Sequence, residues 1–488
     1  MSRMANTPAD RHFDVCIIGS GSGNSLMDEQ WAHLDVALVE RGVGSTGAFG
    51  GTCLNVGCIP TKMFVHPANL AASAQEARRL GVDLTFERAH WPEIRDRIFG
   101  RIDQISSAGR DWRIENDNVT LFEGTGRFVD AHTLTIDGDG GSRDTITADT
   151  FVLANGSRPR AGDFPVGDGV QVHTSDDIMR LDELPESLII LGGGFIAAEM
   201  AHVFSSLGTK VRIVHRSGAL LRREDREVSE RFTELAARRV DLCLNETVTA
   251  CELGGDGVIV HTEDADGAVR QHTAQALLSA LGRVPNSDTL DLDAAGVTVD
   301  NRGRVEVDAH LRTSQRHIFA LGDICSPLQL KHVANHEARV VHHNVLHPDR
   351  PIAVDHTHVP SAVFTHPQIA SVGLTEDEAR EQYDDIVTAV QPYGSVAYGW
   401  AMEDEDGFCK LVARRDGTLV GAHIIGAEAS ILIQPLVQAM ATGLSAQRMA
   451  RCQYWIHPAL TELVENALLA LPLDPLPLDH GSDEGDDV

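Results

Sequence analysis

The sequence predicts an α/β protein with two strand–glycine–helix–strand units and a C-terminal α+β domain. Three observations support this. An apolar run, Phe13-Asp14-Val15-Cys16-Ile17-Ile18, ends at Gly19-Ser20-Gly21-Ser22-Gly23-Asn24, and a second run, Val36-Ala37-Leu38-Val39-Glu40, comes next. About 170 residues on, Ser187–Leu191 runs into Gly192-Gly193-Gly194-Phe195-Ile196-Ala197, and Val211–Val214 comes after it. From about residue 355 the texture changes to strands followed by helices, including 428–448 and 458–471. Short, unbroken apolar runs bounded by glycine read as strands of a parallel sheet, buried on both faces.

The remaining elements fit this frame. Residues 118–150 alternate polar and apolar side chains between Asp/Gly turns, as a β-meander does, and 245–280 repeat that texture inside the second unit. At 488 residues the chain is too long for one core and requires several domains. Prolines and then Asp, Glu, Gly and Ser fill 473–488, the composition of a disordered acidic tail.

Charge and cysteine usage exclude several classes. Lys plus Arg number 41 against 71 Asp plus Glu, a formal net charge of -30. Such a surface repels phosphate backbones and anionic lipids, so neither nucleic acid nor membrane is an expected partner. The first twelve residues lack an apolar core, and no apolar run reaches membrane-spanning length. Eight cysteines in so long a chain do not make a secreted disulfide scaffold. These features together point to the cytoplasm, where two closely spaced cysteines read as a redox or metal site.

Five motifs carry chemistry. In the first glycine loop, Gly19, Gly21 and Gly23 let the backbone approach a pyrophosphate at a helix N-terminus, and Glu40 accepts hydrogen bonds from a ribose. Asn24 stands where Gly or Ala packs the helix on the strand, and looser packing is expected there. In the second loop, Gly192 and Gly194 repeat the arrangement, but the next strand ends in Val214-His215-Arg216 with no acidic residue. Arg216 and Arg222 offer guanidinium groups to a 2′-phosphate, which selects NADPH; the plainer reading is two surface arginines near a loop.

The third motif is Gly50-Gly51-Thr52-Cys53-Leu54-Asn55-Val56-Gly57-Cys58-Ile59-Pro60-Thr61-Lys62. Two cysteines five apart can bridge at the start of a helix, whose dipole stabilises a thiolate. Zinc would ask for closer spacing and a second Cys/His pair, which the sequence lacks. Fourth, a strand ending in Gly322-Asp323 can present a carboxylate to a polyol, although a capped turn explains it equally well. Fifth, His457-Pro458-Ala459-Leu460-Thr461-Glu462 places a carboxylate five residues after a histidine, an orientation suited to a general acid. Alone, a satisfied core histidine would explain it better.

Together and in this order, these motifs resemble the flavin disulfide reductases, the pyridine nucleotide-disulfide oxidoreductase family, over about residues 13–471. Several stretches resemble one branch whose substrate is a small disulfide other than glutathione. They are Gly21–Ser25, Lys62–Val65, Lys331–Arg339, Tyr398–Asp404 and Gln453–Pro458. The first helix, read as Ser25–Trp31, also lacks the arginines with which glutathione-reducing members hold carboxylates.

The resemblance implies FAD and NADPH as cofactors. It assigns 1–158 and 288–353 to an FAD domain, 159–287 to an NADPH domain and 354–472 to a dimerisation domain. It makes Cys58 the flavin-proximal sulfur and Cys53 the one that attacks substrate. Phe195 would gate the nicotinamide pocket, Lys62 and Glu199 would pair near the flavin, and Asp323 would hold its ribitol. Gly51, Thr52, Gly156, Gly282 and Gly322 would line the cofactor sites. In a homodimer, His457, oriented by Glu462, would protonate the thiolate leaving the partner's site. A lipoamide dehydrogenase stays open as a second reading, and it would favour NAD. Three departures stand out: Ala154-Asn155-Gly156 where Ala-Thr-Gly is usual, Leu281-Gly282-Arg283 where Thr-Gly-Arg is usual, and a long Val43–Ala48 loop.

Overall fold

A computed structural model describes residues 11–474 apart from residue 256. The expected tail lies, from residue 475 on, outside the described residues. The chain forms two compact units. One holds the described residues up to Leu220 together with Ala236–His356; the other holds Leu221–Leu235 and the described residues from Thr357 on.

The first unit is organised on two parallel sheets. In one, β1 (Arg11–Ile18) lies between β2 (Val36–Glu40) and β5 (Arg143–Leu153), parallel to both. β3 (Val119–Asp130) pairs outside β2 and β15 (Ile318–Ala320) outside β5. β3 and β5 are long because part of each leaves the parallel sheet to pair antiparallel with β4 (Thr133–Gly138), which makes the expected meander. Apolar clusters cover both faces of this sheet, so Cys16, Ile17, Phe151 and Leu153 are fully buried. That double burial is why these strands read as unbroken apolar runs.

The other parallel sheet has the order β13 (Ala276–Ser279), β7 (Ser187–Leu191), β8 (Lys210–His215), β9 (Asp241–Leu244). Beside it β10 (Glu246–Gly254), β11 (Gly257–Asp264) and β12 (Val269–Ala274) form an antiparallel meander. A short ribbon, β6 (Ser157–Pro159) against β14 (Arg283–Pro285), also belongs to this unit.

Helices α1 (Gly51–Asn55), α2 (Cys58–Arg79), α3 (Trp91–Glu115) and α4 (Phe195–Ser206) also belong to this unit. Trp91 stacks on Phe64 at 5.0 Å and lies 5.4 Å from Phe204, which ties α2, α3 and α4 together. The unit also contains α6 (Leu292–Ala295) and α7 (Lys331–Leu346).

The structure differs from two expectations. The segment after the first glycine loop is not an α-helix. It is two 3-10 turns, Gly23–Leu26 and Glu29–Trp31, because Asp28 accepts a hydrogen bond from Gln30 N and starts a new turn. Packing there is also not loosened by Asn24. A Cβ on Gly23 would meet Ile17 and Ala154 side chains below 3.0 Å, so Gly23 takes the close approach, and Asn24 is freed to accept from Arg113 Nε at 2.7 Å.

The second unit is built on an antiparallel sheet of order β16 (Pro360–Val363), β17 (Gln368–Gly373), β20 (Leu419–Gly426), β19 (Phe408–Arg414), β18 (Ile386–Pro392). It includes α8 (Glu376–Gln382), α9 (Ala397–Met402), α10 (Ala429–Leu432), α11 (Gln434–Thr442), α12 (Ala446–Arg451) and α13 (Thr461–Ala470). Side chains from the sheet and from α10 to α13 share one core. Most of α5 (Arg226–Ala237) belongs here through a buried charge cluster. Lys410, 1% exposed, reaches Asp225 at 2.9 Å, Glu227 at 3.0 Å and Glu376 at 2.7 Å. A buried ammonium requires such partners, and they hold it charged.

Candidate active site

The parallel sheets present their loops at the C-terminal ends of their strands, the edge where open α/β sheets hold ligands. Gly19 leaves β1 with φ +106°, and a Cβ there would meet the Ala154 carbonyl oxygen at 2.5 Å. Gly192 leaves β7 with φ +121°, and a Cβ there would run into the Ala280 carbonyl oxygen. Both positions therefore require glycine for two reasons, backbone angle and space.

In the first loop, Glu40 at the end of β2 accepts from Ser20 N at 2.6 Å and from Gly42 N at 2.7 Å. The long loop after it is closed by a pair of backbone hydrogen bonds between Val43 and Ala48. Asp323 lies just after β15, and its Oδ2 accepts from Ser157 Oγ at 2.6 Å. Arg283 donates to Ser157 Oγ at 2.7 Å and to Ser157 O at 2.8 Å. The departures noted in the sequence also find partners. Asn155 Nδ2 donates to Asn286 O, and Asn286 Nδ2 donates back to Asn155 O. Gly156 and Gly282 adjoin these residues in the chain, and Gly322 N donates to the buried Glu337 at 2.6 Å. The loop, Glu40 and Asp323 thus stand at the same end of three strands of one sheet, a donor and acceptor set that fits an extended dinucleotide such as FAD.

The second sheet offers a simpler crevice. Gly194 precedes α4, whose first residue, Phe195, is 47% exposed. Arg216 is exposed directly after β8. Arg222 is also exposed, but it lies in the stretch grouped with the other unit. An open helix N-terminus next to a guanidinium suits a nicotinamide dinucleotide bearing a further phosphate. Glu199 is buried on α4, and Lys62 is exposed on α2. Those two helices are in contact, with Asn69 Oδ1 2.6 Å from His202 Nε2.

The two cysteines occupy the joint between α1 and α2. Cys53 and Thr52 lie in α1, and Cys58 is the first residue of α2. Both are thiols in this structure. The neighbouring Cys58 thiol lowers the Cys53 pKa to about 7 against the opposing effect of burial. The Ile59 backbone N–H, at the start of α2, lowers it further. Cys58 is in turn pushed up by Cys53 and by burial. Backbone N–H groups at the helix start favour a thiolate at both positions, Ile59 N–H at Cys53 and Cys58 N–H at Cys58 itself.

The second unit holds His457. His457 Nδ1 lies 2.8 Å from Glu462 Oε1, with Glu462 near the start of α13. Ala459 N donates to the other carboxylate oxygen at 3.3 Å. The side chain is 70% exposed, which leaves the ring open to an incoming group. Tyr454 and Ile456, just before it, are strongly exposed.

Sequence reasoning did not single out Ser157, Arg283, Glu337 or Lys331. Lys331 Nζ donates to Ser22 Oγ at 2.9 Å, and its charge acts on Cys53. Its available signal was a cation at the first position of a helix. Cys243, Glu246 and His272 also cluster in the first unit, where β9 meets the β-meander. There His272 Nε2 is 2.7 Å from Glu246, which also accepts from Thr262 and Arg270, and the Cys243 thiol is pushed up to about 11 by burial.

Comparison with known proteins agrees with this geometry. Residues 13–338 match the model of the pyridine nucleotide-disulphide oxidoreductases, and 359–468 match that of their dimerisation domain. The chain is 50% identical over 468 residues to a mycothione reductase of Mycobacterium tuberculosis strain H37Rv, covering 94% of this chain and 99% of the relative. It is 35% identical over 470 residues to a dihydrolipoyl dehydrogenase of Haloferax volcanii, with 93% and 96% covered. Among solved structures, the HOCl-induced flavoprotein disulfide reductase RclA from Escherichia coli superposes with a TM-score of 0.81 at 28% identity, covering 94% of this chain and 99% of that one. With two glycine-loop sheets, a paired dithiol and a carboxylate-held histidine, the chain belongs to the pyridine nucleotide-disulphide oxidoreductase family.

Proposed function

We propose that this protein is an NADPH-dependent mycothione reductase of the cytoplasm, which returns mycothiol disulfide to mycothiol and so maintains thiol redox balance. The placement of Cys53 on α1 and Cys58 at the head of α2, two thiols at one joint, is the observation that carries the chemistry. The 50% identity to the mycobacterial enzyme over nearly the whole of both chains supports the substrate. The Lys331–Arg339, Tyr398–Asp404 and Gln453–Pro458 stretches resemble the same branch. The absence of arginine from Ser25–Trp31 agrees with a substrate other than glutathione.

In this reading residues 1–158 and 288–353 bind FAD through Gly19, Gly21, Gly23, Glu40, Gly51, Thr52, Gly156, Gly322 and Asp323. Residues 159–287 bind NADPH through Gly192, Gly194, Phe195, Gly282, Arg216 and Arg222, and 354–472 form the dimer contact. Bound FAD supplies the two-electron link between the nicotinamide and the Cys53–Cys58 pair. Lys62 and Glu199 pair beside it, and Phe195 covers the nicotinamide pocket.

The Cys53 thiolate attacks one sulfur of mycothione, and the S–S bond breaks to give a mixed disulfide and one mycothiol thiolate. His457 of the partner subunit protonates that thiolate, held in orientation by Glu462. Cys58 then attacks Cys53, the second mycothiol leaves, and the Cys53–Cys58 disulfide closes. Three observations favour a second copy: the dimerisation-domain match, the exposure of His457, and the bare Tyr454 and Ile456 beside it. No helix among the described residues is long and apolar enough to cross a membrane.

The test is a panel of mycothione, glutathione disulfide and lipoamide, each with NADPH and NADH. Turnover of mycothione with NADPH is expected. A strong preference for NADH with lipoamide would replace this reading by the dehydrogenase one.

A further inference from the structure

Cys243, Glu246 and His272 form a group in the first unit that the dinucleotide and disulfide sites do not use. Cys243 lies on β9, the edge strand of the second parallel sheet, and His272 on β12 of the neighbouring meander. Glu246 opens β10, just past Asn245, whose backbone is left-handed at φ +60°. That turn carries the chain from one sheet to the other. One donor atom from each of the three side chains lies within 4.8 Å of the other two.

The hydrogen bonds decide which histidine nitrogen is free. Glu246 is 6% exposed and accepts from Thr262 Oγ1 at 2.6 Å and from Arg270 Nη1 at 2.9 Å. Those donors keep it a carboxylate. His272 Nε2 faces it at 2.7 Å and therefore carries a proton. Nδ1 keeps its lone pair and lies 3.9 Å from the Cys243 sulfur. A carboxylate on one ring nitrogen, with the other left bare, is how a metal-binding histidine is oriented. The spacing fits as well. Zinc sits about 2.3 Å from sulfur and about 2.0 Å from nitrogen, so one ion spans the two when they are no more than about 4.3 Å apart. A plain hydrogen-bond network accounts for Glu246, Thr262, Arg270 and Nε2. It leaves the Nδ1 lone pair, on a ring that is 7% exposed, with only a weak thiol donor.

We propose that Cys243 Sγ and His272 Nδ1 bind a zinc ion, with Glu246 holding the imidazole from its far side and water completing the coordination. Zinc takes the place of the thiol proton, which passes to solvent. The ion joins the edge of the parallel sheet to the meander, which are separate sheets.

The experiment uses the flavin-loaded full chain with Cys53 and Cys58 both replaced by serine, so that the dithiol takes no zinc. The protein is equilibrated with zinc chloride, bound metal is counted per chain, and the zinc X-ray absorption spectrum is recorded. About one zinc per chain is expected, with a sulfur neighbour at about 2.3 Å. Cys243→Ser and His272→Gln in the same background should each lose that zinc. A spectrum with oxygen and nitrogen neighbours alone would place the metal on the acidic surface and overturn the proposal, and so would the absence of bound zinc. Neither result depends on a variant of the site. A sulfur neighbour that persists in Cys243→Ser would assign the metal to another cysteine, such as the exposed Cys452, and would overturn it too.

Discussion

The two glycine loops begin alike and end differently. Gly19 and Gly192 each leave a buried parallel strand at positive φ, against the carbonyl of a neighbouring strand end. Beyond that turn they diverge. The first loop leads into two 3-10 turns and is closed by Glu40, whose carboxylate binds Ser20 and Gly42. The second leads into α4 with Phe195 exposed at its head, and the strand after it ends at His215, with Arg216 next. The turn is a requirement of the strand–loop junction. In the proposed function, the residues beyond the turn decide which dinucleotide fits.

The sharpest way to break this comparison is to remove each glycine in turn. A side chain in such a backbone conformation costs about 1–3 kcal/mol before any clash is counted. Gly19→Ala should be recovered without its yellow colour, since the flavin site is lost. Gly192→Ala should keep the colour and lose at least about 100-fold in the rate of flavin reduction by NADPH. Absorbance spectra and stopped-flow reduction check both, and equal loss of flavin in the two variants would erase the distinction.

The strand ends give a smaller effect. Arg216→Ser should cost about 1.5–3 kcal/mol in NADPH binding, roughly 10- to 100-fold in KM, with little change for NADH. Steady-state kinetics with the two nucleotides measure it. A parallel loss for both would make Arg216 a general surface contact.

The smallest effect concerns the first loop alone. Asn24→Ala removes an acceptor from Arg113, which is 2% exposed and whose pKa burial lowers to about 10. Loss of about 1–2 kcal/mol of stability is expected, read from the denaturation midpoint, with NADPH kinetics unchanged.

Legibility in the sequence tracked the range of the interactions. The parallel strands were legible because burial on both faces leaves them almost wholly apolar. The dithiol and the His457–Glu462 pair were legible because their partners are five residues apart. The segment after Asn24 departs from the predicted helix because Asp28 restarts the turn, a local competition that apolar spacing does not register. Lys410 gave no sign in a strand, since its partners Asp225, Glu227 and Glu376 are remote in sequence. Ser157, Arg283 and Asp323 went unpaired in the sequence for the same reason, since the fold brings their strand ends together. Lys331 opens the Lys331–Arg339 stretch, but only its contact with Ser22 shows where its charge is placed.

The central claim is that electrons from NADPH leave through Cys53 to a small disulfide. It is tested most directly by counting mycothiol released per NADPH oxidised, in the parent and in Cys53→Ser. The account predicts about two thiols per NADPH in the parent. In the variant it predicts none, while reduction of the flavin by NADPH persists. Thiol release undiminished in Cys53→Ser, or NADPH consumed by the parent without thiol release, would contradict it.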